Sequence, residues 1–381
     1  MAVRGRVTAI CVVCALSVVT GQVIAAAQHR TTRATDVYAH ALELQTQGND
    51  SAALSLLWEA AALAPHDADI QNRLGEALER IGALDAAVAA YRAAFSERPA
   101  FRKASNNLIL ALVKAGKGDE AIERARALVA AAPADPDRSF TLGLAQSEQD
   151  VDAAIKTFRR VLELEPRHTL ARYNLALVLK RADRLPEALD ELGRALAIDP
   201  RPEVQYTLGT IYWHQGDLDR SVSALRAAVA VEPRYADAHY TLGAVLKAKR
   251  DWDGAAASLR RAIALQPDLS AAHYTLAQVL QLRGDAGEAR VHFADAERLR
   301  RQAELEQEAA VWTAVGTQKL DREDLLGALD SFRRAAAIFE AYAPVHYQIG
   351  RTLERLGQRD AARGEFERAR QLNPSLVVAR D

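Results

Sequence analysis

Cysteine is nearly absent from this 381-residue chain: Cys11 and Cys14 are the only two, and both fall in one apolar run near the N-terminus. Beyond that run there is no material for disulfides, thiol catalysis or cysteine-ligated metals. Methionine occurs once and aromatic residues make up 6%. An excess of either charge is missing too, with 49 Lys and Arg against 50 Asp and Glu and a net charge of -1. Such a balance offers no basic surface for a phosphate backbone, so nucleic acid is not expected as a partner. Runs of β-branched residues are scarce after the first 24 positions, while alanine and leucine dominate the apolar fraction, which favours helices throughout. No Gly-rich phosphate loop, H-E-x-x-H pair or nucleophile elbow occurs, so neither an enzyme nor a cofactor or metal site is expected.

The one long apolar stretch runs from Val7 to Val19, behind Arg4 and Arg6 and ahead of Thr20-Gly21-Gln22 and Ala25-Ala26-Ala27. That order of parts is a secretory signal peptide, residues 1–27, with cleavage expected after Ala27. An uncleaved anchor is the alternative, because Val7 to Ala27 is close to the length that spans a bilayer. In both cases the remainder lies outside the cytoplasm, in the periplasm or extracellular space, since the positive flank stays inside.

What the chain has in regular supply is proline. Pro65, Pro99, Pro133, Pro166, Pro200, Pro233 and Pro267 are separated by 34, 34, 33, 34, 33 and 34 residues. Proline is poorly tolerated inside helices, so each marks a helix end of one unit copied many times. With the proline as position 32 of a 34-residue unit, position 7 is leucine from Leu74 to Leu276 and position 8 is small in Gly75, Gly143, Gly209, Gly243 and Gly316. Position 20 is alanine nearly throughout, and position 24 is large in Tyr91, Phe158, Phe293, Phe332 and Phe366. Positions 4, 7, 8 and 11 form one helical stripe and 20, 24 and 27 another, which predicts a helical hairpin. Glycine at position 15, as in Gly48, Gly82, Gly116, Gly216, Gly284 and Gly357, is placed to end the first helix with a positive φ.

These residues, read as W-x-x-L-G-x-x-Y…G…A…F…A…P, resemble the tetratricopeptide repeat, in about ten units from 34 to 376. The resemblance implies an all-α, right-handed superhelical solenoid whose first helices line a concave groove. Repeats 1 to 8 occupy 34–303, an extended helix insert 304–308, repeats 9 and 10 309–376, and a tail 377–381. At the break Arg301 replaces the expected proline, and a hinge there is an open alternative to a rigid array.

In this family positions 2, 5, 9, 12 and 13 tend to face the groove. Position 5 is Tyr173, Tyr206, Tyr240 and Tyr274 in four successive repeats, and Lys180, Arg181, Trp213, His214 and Lys247 stand at positions 12 and 13 around them. The expected site is an aromatic, mildly basic ladder for an acidic or aromatic-rich peptide; the alternative is that each tyrosine packs on its neighbour. His239, His273 and His346 recur at position 4, but equivalent residues of adjacent units stand too far apart to share one metal and are read as structural rings. A carboxylate clamp is not expected, because Asn72, Glu76, Asn107, Asp137 and Thr141 occupy its positions, and an asparagine ladder has only Asn107 and Asn174. The expectation is a non-catalytic scaffold holding a protein or peptide, with a membrane-anchored accessory subunit of an envelope enzyme or secretion or assembly machine as the alternative.

Overall fold

The computed structural model describes residues 31–373. The signal segment and the tail after 376 therefore lie outside the described residues. Within the described residues there are helices and turns and no strand. The chain divides into two compact units, one of residues 1–124 with 366–381 and one of residues 125–365.

Helix α1 covers 31–46, and it is followed by α2 (Asp50–Leu63), α3 (Ala68–Arg80), α4 (Leu84–Glu97), α5 (Arg102–Lys114) and α6 (Gly118–Ala131). Then come α7 (Pro136–Gln146), α8 (Val151–Leu164), α9 (Thr169–Arg181), α10 (Leu185–Ile198), α11 (Pro202–His214) and α12 (Leu218–Val231). The series ends with α13 (Ala236–Ala248), α14 (Trp252–Leu265), α15 (Ser270–Arg283), α16 (Ala286–Asp321), α17 (Leu325–Ile338), α18 (Ala343–Arg355) and α19 (Arg359–Leu372). Every marker proline stands two residues past the end of a second helix, where the chain has already left helical geometry and its missing N–H costs nothing.

The hairpin closes as the small and large positions require. A Cβ on Gly243 would come within 2.6 Å of Leu259, and one on Gly316 within 2.4 Å of the Phe332 ring. No real Cβ contact is that short, so glycine at position 8 is what lets the two helices meet. The large residue at position 24 is fully buried in Tyr91, Phe158 and Phe332. Even the exception at position 20 is satisfied, since Ser221 Oγ donates to the Gly209 carbonyl at 2.8 Å. In the unit of residues 125–365, two apolar clusters carry this packing through successive hairpins, one built on Phe158, Leu175, Leu192 and Leu208 and one on Leu225, Leu242, Leu259 and Leu276.

All six position-15 glycines have φ between 72° and 96°. Asp183, Arg250 and Glu323 take the same left-handed conformation in other repeats, with φ of 58°, 63° and 62°. Helix α7 has 11 residues where most first helices have 13, in a unit whose prolines, Pro133 and Pro166, stand 33 rather than 34 apart. The break after repeat 8 is wholly helical: α16 is a single 36-residue helix that serves as second helix of repeat 8 and first helix of repeat 9, with 304–308 inside it.

Charge follows the same period. Position 25 of one repeat is paired with position 19 of the next in Arg92–Glu120 at 2.6 Å, Arg159–Glu187 at 2.8 Å and Arg260–Glu288 at 2.8 Å. Glu120, Glu187 and Glu288 thus tie neighbouring second helices together.

Candidate functional site

The tyrosine-bearing face is set by helices α9, α11, α13 and α15, which carry Tyr173, Tyr206, Tyr240 and Tyr274. Three of the four rings are spent largely inside the array. Tyr173, Tyr206 and Tyr240 are half-buried against the two apolar clusters, as is Trp213. The Tyr173 hydroxyl lies 3.4 Å from Thr207 Oγ1 in the next repeat.

Tyr206 is also covered from above. In two repeats the residue that precedes a first helix, position 34 of the unit before, packs at a tilt on the position-5 ring behind it: His168 on Phe140 at 4.9 Å and Tyr235 on Tyr206 at 5.2 Å. Tyr235 sits close enough to both Tyr206 and Tyr173 that burial, followed by its proximity to these two phenols, pushes its pKa up to about 12. In repeat 9 the corresponding place lies within α16, so no capping ring stands there. Tyr274 meets the edge of Phe293 at 5.6 Å and remains 51% exposed. Leu282, two turns further along α15, is 58% exposed. The first-helix face of repeat 8 thus offers the bare apolar surface, and Leu282 was not among the sequence-derived candidates.

The cations of this face are less available than their sequence positions suggest. Arg181 donates to the Ser147 carbonyl at 3.0 Å and to Glu148 Oε2 at 2.7 Å, which makes it a tie to the turn of the preceding repeat and neutralises its charge. Lys180 reaches Thr210 Oγ1 at 3.3 Å and Lys247 bonds the Gln278 side chain; both partners are neutral, so both ammonium charges persist. His214 is exposed beside Trp213, their ring centroids 6.4 Å apart.

In the unit containing residues 31–124, an open depression of about 420 Å³ is lined by Glu76, Glu79, Arg80, Tyr91, Asn107 and Lys114. Glu76 accepts from Asn72 at 2.9 Å and pairs with Lys103 at 2.7 Å and Arg73 at 3.0 Å. Burial opposes its ionisation, yet those three neighbours outweigh it and hold the carboxyl below its ordinary value of 4.5. An ionised carboxylate at position 9, where a clamp would need an asparagine, repels a C-terminal carboxylate.

The position-4 histidines have a shared structural task. The Nε2–H of His239, His273 and His346 donates to the carbonyl six residues earlier, at Pro233, Pro267 and Glu340, over 3.2, 3.1 and 2.8 Å. Gln71 and Arg172 do the same to Pro65 and Pro166, at 3.1 and 2.7 Å. Position 4 therefore satisfies the carbonyl of the marker residue, a constraint that rings and amides both meet.

The tetratricopeptide-repeat profile matches residues 38–100, 85–136, 206–268 and 240–304, and related profiles of the same repeat match 145–211 and 343–376. Together with the hairpin geometry, these matches show that the chain belongs to the tetratricopeptide repeat family. Its fold is an all-α helical-repeat solenoid of the class that acts as a protein-interaction scaffold and generally binds protein partners. Among solved structures, a tetratricopeptide repeat protein from Parabacteroides merdae superposes with a TM-score of 0.51 at 17% identity, covering 65% of this chain and 98% of that one. TTC0263, a thermophilic tetratricopeptide protein of Thermus thermophilus, gives 0.43 at 24% identity over 47% of this chain and 98% of its own. A human IFIT1 dimer with m7Gppp-AAAA also gives 0.43, at 16% identity over 88% of this chain and 89% of that chain. No helix among the described residues is long and apolar enough to cross a membrane.

Proposed function

We propose that this chain is a non-catalytic scaffold of the cell envelope that holds a protein or peptide segment on the first-helix face of repeats 5 to 8. The observation that carries the reading is the bare pair Tyr274 and Leu282, 51% and 58% exposed, continuing the surface on which Lys180 and Lys247 keep their charge. An exposed aromatic and a leucine on one stripe of a helix make an anchor site for an apolar side chain, and the lysines favour a partner with nearby carboxylates. Export is supported by the order of charged, apolar and small residues in 1–27. Retention of that segment would instead tether the scaffold to the membrane as an accessory subunit.

Because Tyr206, Trp213 and Tyr240 also support the core, their truncation would confound binding with folding. Tyr274→Ser with Leu282→Ser is the cleaner test. The double variant should keep its helical circular dichroism and lose the partners that the wild-type chain captures from envelope extracts. An unchanged capture profile would refute the site, and mass spectrometry of the mature N-terminus distinguishes the cleaved from the anchored form.

A further inference from the structure

Within a hairpin, position 4 of the first helix faces position 23 of the second. Repeat 5 fills this pair with Arg172 and Glu191 at 2.7 Å, and repeat 10 with His346 and Glu365 at 2.7 Å, each an ordinary meeting of donor and carboxylate. Repeat 8 departs from that rule. His273 on α15 meets a second imidazole, His292 on α16, with their Nδ1 atoms 3.1 Å apart and ring centroids 5.2 Å apart. The carboxylate stands one turn further along α16, at Asp295, whose Oδ2 is 3.9 Å from His273 Nδ1. All three ligand atoms lie within 4.8 Å of one another.

The hydrogen-bond pattern fixes which atoms are free. His273 Nε2 is 3.1 Å from the Pro267 carbonyl, which can only accept, so Nε2 carries the hydrogen and neutral His273 presents the Nδ1 lone pair. His292 Nε2 faces Glu288 Oε1 at 3.8 Å. With its hydrogen there, His292 also presents the Nδ1 lone pair, and two lone pairs would abut unless a cation lies between them. The backbone carbonyl behind His273 is the kind of outer partner that metal-ligating histidines use to fix tautomer and orientation, whereas Glu288, held by Arg260 at 2.8 Å, lies beyond hydrogen-bond length of His292. Asp295 engages Arg298 through Oδ1 at 3.1 Å, leaving Oδ2 free to turn toward the pair.

We propose that His273 Nδ1, His292 Nδ1 and Asp295 Oδ2 form a binding site for a first-row divalent cation, zinc above all, that staples α15 to α16. A zinc about 2.1 Å from each nitrogen in tetrahedral geometry sets them roughly 3.4 Å apart, so the imidazoles need only part slightly. Two imidazoles and a carboxylate are a set that zinc and its neighbours accept. The fourth position faces outward, since the side chain of His273 is 8% exposed but those of His292 and Asp295 are 18% and 32% exposed. Water or a donor from a bound partner would complete it. Burial, then the neighbouring His273, keeps the His292 pKa below its ordinary value. Without metal, His292 turns its hydrogen onto Nδ1 and donates to His273; binding moves that hydrogen to Nε2, so no net proton leaves.

The test is calorimetric titration of Zn2+ into the tag-free, chelator-treated full chain at pH 7.5, alongside His273→Gln, His292→Gln, Asp295→Asn and, as a control, His66→Gln. Glutamine at 273 keeps the bond to the Pro267 carbonyl, as Gln71 does to Pro65 in repeat 2, so this variant should stay folded. The wild type and the control should bind one equivalent in the micromolar range or tighter, with a rise in melting temperature on zinc addition. Each site variant should lose at least tenfold in affinity together with that thermal shift. Failure of the wild type to bind, or binding that persists undiminished in the His273 and His292 variants while their circular dichroism is native, would overturn the proposal.

Discussion

At the scale of the residue, the repeat imposes conformations that some of its members resist. Position 15 must be left-handed because the first helix has to turn sharply into the second, and six glycines meet this at no steric cost. Arg250 and Glu323 meet it with a Cβ, at φ of 63° and 62°, because the packing of the hairpin on either side decides the backbone and the residue follows. The left-handed state costs such residues about 1–2 kcal/mol, and glycine returns part of that as unfolded-chain entropy. Arg250→Gly and Glu323→Gly should each raise stability by about 0.5–1 kcal/mol in chemical denaturation. Asp183→Gly should be nearly neutral, since aspartate tolerates the left-handed region; equal gains at all three sites would contradict the argument. The sequence marked these turns only where glycine stood, and it equally hid the partner of His273. Positions 4 and 23 look unrelated along the chain and meet only through the crossing of two helices. The tyrosines were legible as a series at position 5, but not their unequal exposure, which depends on what the neighbouring units lay against each ring.

At the scale of the element, α16 is the exception in a series of short helices. Its buried residues are Ala289 and Ala296 toward one end and Ala309 and Gly316 toward the other, with none from Glu297 to Glu308. Those three turns are supported by their own side chains, Arg300 pairing with Glu297 at 2.7 Å and Glu304 at 2.6 Å. Arg300 takes Glu297 at i, i+3, and its hydrogen bond leads in lowering the Glu297 pKa. Exposed pairs of this kind contribute little, because solvent screens them. The middle of α16 is therefore intact as a helix but weakly protected. In hydrogen exchange followed by mass spectrometry, amides of 299–306 should exchange at least tenfold faster than those of 289–296 and 310–317. Arg300→Ala should widen the gap, and uniform protection along α16 would mean that unseen contacts hold its centre.

At the scale of the whole molecule, the repeat rhythm that defines the family also limits cooperativity. Within each unit, the substantial contacts run between helices one or two places apart in the chain. Stability is then a sum of hairpin terms and nearest-neighbour terms, and a weak link divides the array into segments that unfold separately. The weakest link in the unit of residues 125–365 is the middle of α16, where no side chain is buried over 12 residues. Trp252 lies on α14 beside the apolar cluster of repeats 6 to 8, and Trp312 lies on the far part of α16 under Arg334, whose guanidinium is 5.1 Å from the ring. Variants that keep one of these tryptophans and replace the chain's other three with phenylalanine report on the two sides of the link. The Trp312 signal should be lost at a lower urea concentration than the Trp252 signal, because the hairpins beyond 308 draw on fewer neighbours than the continuous cluster before 297. Zinc should raise the Trp252 midpoint more than the Trp312 midpoint, as the His273–His292 pair lies on the Trp252 side. Superimposable transitions with and without metal would show that α16 transmits cooperativity through its exposed centre, and would assign to helix rigidity the coupling that side-chain burial provides elsewhere in the array.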